Sequence, residues 1–122
     1  MTPLQDEIWA YLAERSWTNQ APDQLAKSVS LEAAELLEHF QWSSPSVEEL
    51  LQDTTKAERV KRELADVLIY SLEFCIVLGV NFEDVIREKL EMARQKYPVQ
   101  AVLNNPDRYF AIKEEFRANR VY

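Results

Sequence analysis

Five carboxylates fall into two short words. Glu32, Glu35 and Glu38 recur at every third residue, and Glu63 and Asp66 repeat that spacing, with 27 residues between Glu35 and Glu63. At 3.6 residues per turn, side chains three apart share a helix face. Each word therefore draws a stripe of negative charge along one helix. The first stripe has no local compensation. At three and four residues to either side, Glu32 meets Ser28, Val29, Glu35 and Leu36; Glu35 meets Leu31, Glu32, Glu38 and His39; Glu38 meets Ala34, Glu35, Gln41 and Trp42. None of these is Lys or Arg, and like-charged pairs at such spacings cost about 0.2–0.5 kcal/mol each. Hard divalent cations take oxygen ligands. Two facing stripes would hold such ions against the phosphates of a nucleotide. The alternative is a solvated face laced by ion pairs. That reading is stronger for the second word, where Arg59 and Arg62 stand four residues before Glu63 and Asp66.

The elements that must carry these stripes are helices. There is a single glycine in 122 residues, and the chain is rich in Glu, Leu and Ala, which favours an all-α domain with few tight turns. Thr2-Pro3 starts a first helix running to about Arg15. After a loop from Trp17 to Pro22, the spacing predicts a second helix to Trp42, with Leu25, Val29, Ala33, Leu36, Leu37 and Phe40 on its core face. Ser43-Ser44-Pro45-Ser46 interrupts the chain, and Ser46 with Glu49 reads as a capping box for a short helix over Val47 to Leu51. Thr54 or Thr55 caps a third long helix ending near Gly79. Asn81 caps a fourth that runs to about Lys96 and stops before Pro98. Asp107 to Arg117 is a candidate fifth, amphipathic helix.

The third long helix is apolar around most of its circumference: Leu64, Val67, Leu68, Ile69, Leu72, Phe74, Cys75 and Ile76 leave only Glu63, Asp66, Tyr70 and Glu73 as a polar stripe. A small bundle cannot surround one of its own helices so fully, so this helix is expected to pack against a second subunit. In such a helix an acid such as Asp66 is costly to bury unless it is paired or ligates a metal.

Net charge is −7, which argues against a duplex nucleic-acid binder because that function needs a basic face. Any polyphosphate must then be attracted by cations or by a few placed Lys and Arg residues. One cysteine, Cys75, excludes an internal disulfide framework and reads as a small core residue. The longest apolar stretch, Val67 to Val80, contains Ser71 and Glu73 and is too short to span a bilayer. With no signal peptide at the N-terminus, a soluble cytoplasmic protein without a membrane partner is expected.

The surrounding words sharpen the pattern. Glu32-Ala-Ala-Glu35-Leu-Leu-Glu38-His-Phe-Gln-Trp42, then Glu63-Leu-Ala-Asp66-Val-Leu-Ile-Tyr70, then Lys89 and Lys96-Tyr97-Pro98, in that order, resemble the MazG-like, all-α nucleoside triphosphate pyrophosphohydrolases, and within them the dCTP pyrophosphatase branch. The resemblance runs from Trp17 to about Pro98. It implies a four-helix bundle over residues 1–98, with a tail at 99–122, assembled as a homodimer or homotetramer. It implies hydrolysis of a nucleoside triphosphate to the monophosphate and pyrophosphate with Mg²⁺, or Mn²⁺ in its place, in the service of clearing non-canonical or excess dNTPs. Glu32, Glu35, Glu63 and Asp66 become the metal ligands. Glu35 or Glu38 becomes the base for the attacking water. Lys89 and Lys96, with Arg94 and Lys27 behind them, are candidates for the leaving pyrophosphate. Trp17, Trp42 and Tyr70 are candidates for enclosing the base. Ala93 stands where the branch commonly has Asn, and the loop after Trp17 reads Gln20-Ala21, so no base preference carries over. Two rivals remain. One is a non-catalytic helical oligomerisation module. The other is a di-iron bundle, which needs Glu-x-x-His pairs, whereas the one histidine, His39, is preceded at that spacing by Leu36.

Overall fold

The computed structural model describes residues 1–119, and every regular element among them is a helix. In chain order these are α1 (Pro3–Glu14), α2 (Pro22–Glu38), α3 (Val47–Gln52), α4 (Thr54–Val77), α5 (Phe82–Lys96), α6 (Val99–Val102) and α7 (Pro106–Ala118). Their starts follow from side-chain caps. Thr2 and Gln5 form a capping box at α1, and Ser46 and Glu49 form one at α3. The cap of α4 is Asp53, whose carboxylate accepts from Lys56 N–H; Thr54, an expected cap, is already helical. At the far end of α4, Val80 N–H reaches back to the Cys75 carbonyl (2.9 Å) and Gly79 takes φ +70°. A Cβ at Gly79 would meet nothing within 4 Å, so the backbone conformation alone requires glycine there.

One boundary differs from the sequence expectation. α2 stops at Glu38 rather than Trp42. The amides of His39, Phe40 and Gln41 bond to carbonyls three residues back, which tightens the chain into a turn leading toward Pro45. Lys56 on α4 holds this turn. Its Nζ donates to Ser43 Oγ (3.2 Å) and lies 5.4 Å from the Phe40 ring centroid.

The chain divides into two compact units, Met1–Phe82 and the residues from Glu83 on. In the first, α4 is the central rod. It packs most extensively along α2 and more lightly on α1 and α3. Leu12, Leu25, Ala57 and Leu72 are its buried apolar side chains. Gln5 is fully buried and fastens α1 to the turn after α4: its Nε2 donates to the Val80 carbonyl (3.0 Å), and its Oε1 accepts from Thr2 N–H (3.1 Å) and Phe82 N–H (3.5 Å). The expected core face of α2 is only partly inside, since Leu37 is 66% exposed. On α4, Leu64, Leu68 and Ile69 are also exposed.

The second unit carries most of α5 together with α6 and α7. The expected fifth helix is α7, one residue longer at each end. Tyr97 packs on Tyr109 (centroids 4.9 Å apart), Tyr109 on Phe110 (5.2 Å), and Ile112 is buried. Residues 120–122 of the expected tail lie outside the described residues.

Candidate metal centre

Because α2 and α4 lie against each other, the two acidic words meet. Glu32 from α2 and Glu63 and Asp66 from α4 each bring a ligand oxygen within 4.8 Å of the other two. Glu32 Oε2 and Glu63 Oε2 are buried and have no hydrogen-bond partner. Buried polar atoms are ordinarily satisfied, so two orphan acceptors in one place call for a positive charge. Neither Arg59 nor Arg62 forms an ion pair with Glu63 or Asp66 among the described residues. The salt-bridged alternative for the second word therefore fails on geometry.

Electrostatics agree. The Glu32 carboxyl is raised above 4.5, first by burial, then by the adjacent Glu35, then by Asp66 and Glu63. Glu63 is raised for the same leading reasons, burial and then Glu35 and Asp66, against a lowering influence from His39. Burial comes first for the Tyr70 phenol too, followed by the negative field of Glu32, Glu73, Asp66 and Glu35. Glu35 thus stands beside both Glu32 and Glu63, and its own side chain is exposed. An all-oxygen donor set with unsatisfied lone pairs fits a hard divalent cation such as Mg²⁺ or Mn²⁺. Glu38 is exposed and stands outside the cluster of three.

A model of the MazG-like family matches residues 27–109, which include both acidic words, most of α2 and all of α4. The chain belongs to the MazG-like family. Mouse dCTP pyrophosphatase 1 is 35% identical over 92 residues, covering 73% of this chain and 54% of that protein. The chain thus spans about half the length of this curated relative. The crystal structure of a pyrophosphatase from Archaeoglobus fulgidus is 40% identical, with a TM-score of 0.68 over 78% of this chain and 89% of that one.

The other site residues of this MazG-like chain are more dispersed. Tyr70 is on α4 one turn beyond Asp66 and half-buried. Trp42 lies in the turn past α2, not on the helical stripe, and is 90% exposed. Trp17 is exposed in the loop after α1, edge-on to Tyr11 at 6.3 Å. Lys27 forms an exposed ion pair with Asp23 (3.0 Å). Lys89 and Lys96 belong to the second unit, where the Lys96 ammonium lies over the rings of Tyr97 (5.2 Å) and Phe116 (4.8 Å); Arg94 there pairs with Glu91. A cleft of about 500 Å³ opens between α1, the loop after it and the end of α4, lined by Gln5, Trp9, Thr18, Gln20, Ile76 and Val77.

Two features were not read from the sequence. His39 Nε2 stands 3.8 Å from Glu63 Oε1. Its position four residues after Glu35 put it at the edge of the stripe, and that was the available signal. The acid that α4 buries almost completely is Glu73, at 2% exposure, rather than Asp66.

Proposed function

We propose that this MazG-like protein is a metal-dependent nucleoside triphosphate pyrophosphohydrolase, converting a (d)NTP and water to the (d)NMP and pyrophosphate. The observation that carries the reading is the pair of buried, unpartnered oxygens on Glu32 and Glu63 within a cluster of carboxylates. Such a site repels a triphosphate on its own and attracts one through cations. Glu32, Glu35, Glu63 and Asp66 would hold them. A bound divalent cation supplies positive charge to the phosphates and Lewis acidity at a phosphoryl oxygen.

Glu35 is the base we assign, being both beside the cluster and open to solvent. It takes the proton of a water as that oxygen bonds to the phosphorus nearest the sugar. The bond from that phosphorus to the bridging oxygen breaks, and pyrophosphate leaves with the electron pair. Glu38 is the second candidate for that proton. Tyr70 and the exposed Trp42 and Trp17 offer stacking surfaces for a base. Lys27 is an exposed cation five residues before the acidic word, while the roles of Lys89 and Lys96 toward pyrophosphate rest on the family resemblance alone. The exposed Leu64, Leu68 and Ile69 support a homodimer or homotetramer built on α4. The relative named for dCTP supports a dNTP substrate and a part in removing excess or non-canonical nucleotides.

The test is release of pyrophosphate, rather than orthophosphate, from a panel of NTPs and dNTPs with Mg²⁺ or Mn²⁺. Glu35→Ala and Asp66→Ala should each lower turnover at least about a hundredfold at unchanged helical content. Near-normal activity in either variant would remove it from the site. A purely structural module would release no pyrophosphate and would melt at the same temperature with or without Mg²⁺.

A further inference from the structure

His39 is the C-cap of α2, one residue beyond the last turn of the helix that carries Glu32 and Glu35. The turn it opens is tied to α4 through Lys56 at Ser43 and Phe40. Its imidazole therefore has a fixed approach to α4, and Nε2 comes to 3.8 Å from Glu63 Oε1, with the two side chains 22% and 25% exposed. The other Glu63 oxygen, Oε2, is buried without a partner. A carboxylate is planar. A group that engages one oxygen from outside fixes the rotation of the plane, and with it the direction of the remaining lone pairs. At 3.8 Å the contact is an ion-pair distance rather than a formed hydrogen bond.

We propose that His39 is a positioning residue of the metal centre: its imidazole N–H, directed at Glu63 Oε1, orients the Glu63 carboxylate for a divalent cation. The proposal rests on the metal-binding part of the function proposed above. The competing account is that the imidazole is a positive charge standing in for the cation. The two differ in sign. An orienting donor strengthens metal binding, whereas a competing cation weakens it. Outer partners of metal ligands commonly contribute ten- to a hundredfold in metal affinity.

The experiment is a Mn²⁺ titration of the full chain by calorimetry, at about pH 8, above the ordinary titration range of imidazole. The proteins are the parent chain, the two variants without a donor, His39→Leu and His39→Ala, and His39→Gln, whose amide still donates. Melting of the metal-free proteins is followed alongside. The expected result is a rise in the Mn²⁺ Kd of about tenfold or more in the donor-free variants, an unchanged metal-free Tm, and recovery of most of the affinity by His39→Gln. An unchanged Kd in a folded donor-free variant overturns the proposal. So does tighter binding, or a glutamine variant no better than leucine. If the parent chain binds no Mn²⁺, the reading of the site itself has failed. If it binds and hydrolyses while His39→Leu binds equally well, only the positioning role has failed.

Discussion

Glu73 and the Glu32–Glu63 pair show how one residue type meets two situations on two helices. Glu32 and Glu63 have raised carboxyls and other acids for neighbours. Glu73 is raised by burial alone and has no ion pair among the described residues. A carboxyl whose folded pKa lies above its unfolded value keeps its proton on folding. The resulting stability is complete below the unfolded value, near 4.5, and is lost as pH rises through the folded value. The metal-free protein is therefore expected to lose stability as pH rises from the ordinary carboxyl value toward neutrality. Glu73→Gln should flatten that loss, since the amide cannot ionise. Urea unfolding at the two ends of that range measures it, and identical slopes for parent and variant would show that Glu73 carries no such charge. The acidic words were legible because their spacing is a local property of one helix. The neighbour of Glu63 was not, because His39 reaches it across a turn and a second helix, and no pattern within either segment records that meeting.

Among elements, α2 and α4 were legible almost whole, since apolar period and caps both act within a few residues. The misplaced end of α2 has a physical reason. Phe40 and Trp42 continue the apolar period, but Pro45 has no N–H to extend the helical ladder and disfavours a helical Ser44, and Lys56 reaches from α4 to hold the turn instead. The Gln5 clamp was invisible because its partners, Val80 and Phe82, lie 75 and 77 residues away. Gln5→Ala would leave the Val80 carbonyl without a donor beneath α1 and remove the capping box of that helix. A loss of about 1–3 kcal/mol is expected, read as a lower denaturation midpoint with an unchanged m-value. A change below about 0.5 kcal/mol would mean that water replaces the carboxamide.

For the whole molecule, little of the first unit's apolar surface is inside it. Leu31 (65% exposed) and Leu37 (66%) on α2 join Leu64, Leu68 and Ile69 on α4 in facing outward, while Leu12, Leu25, Ala57 and Leu72 are the buried apolar side chains of that unit. Subunit association is the expected remedy, because contiguous exposed apolar patches on soluble chains mark contact surfaces. Leu68→Glu should reduce the molar mass seen by light scattering toward that of a single chain, 14.3 kDa. An unchanged mass would move the contact off α4. The sequence foretold this surplus from the composition of one helix, but which leucines are left outside is decided by the packing of α2 and α1 on it.

Trp42, at 90% exposure, also makes the protein its own spectroscopic probe. Its indole emits from a nearly aqueous environment and is open to quenchers such as acrylamide. A nucleobase laid on that ring, or a neighbouring chain covering it, would shift the emission to shorter wavelength and shield it from quenching. Nucleotide titrations and protein dilutions can thus be followed by intrinsic fluorescence with no label added.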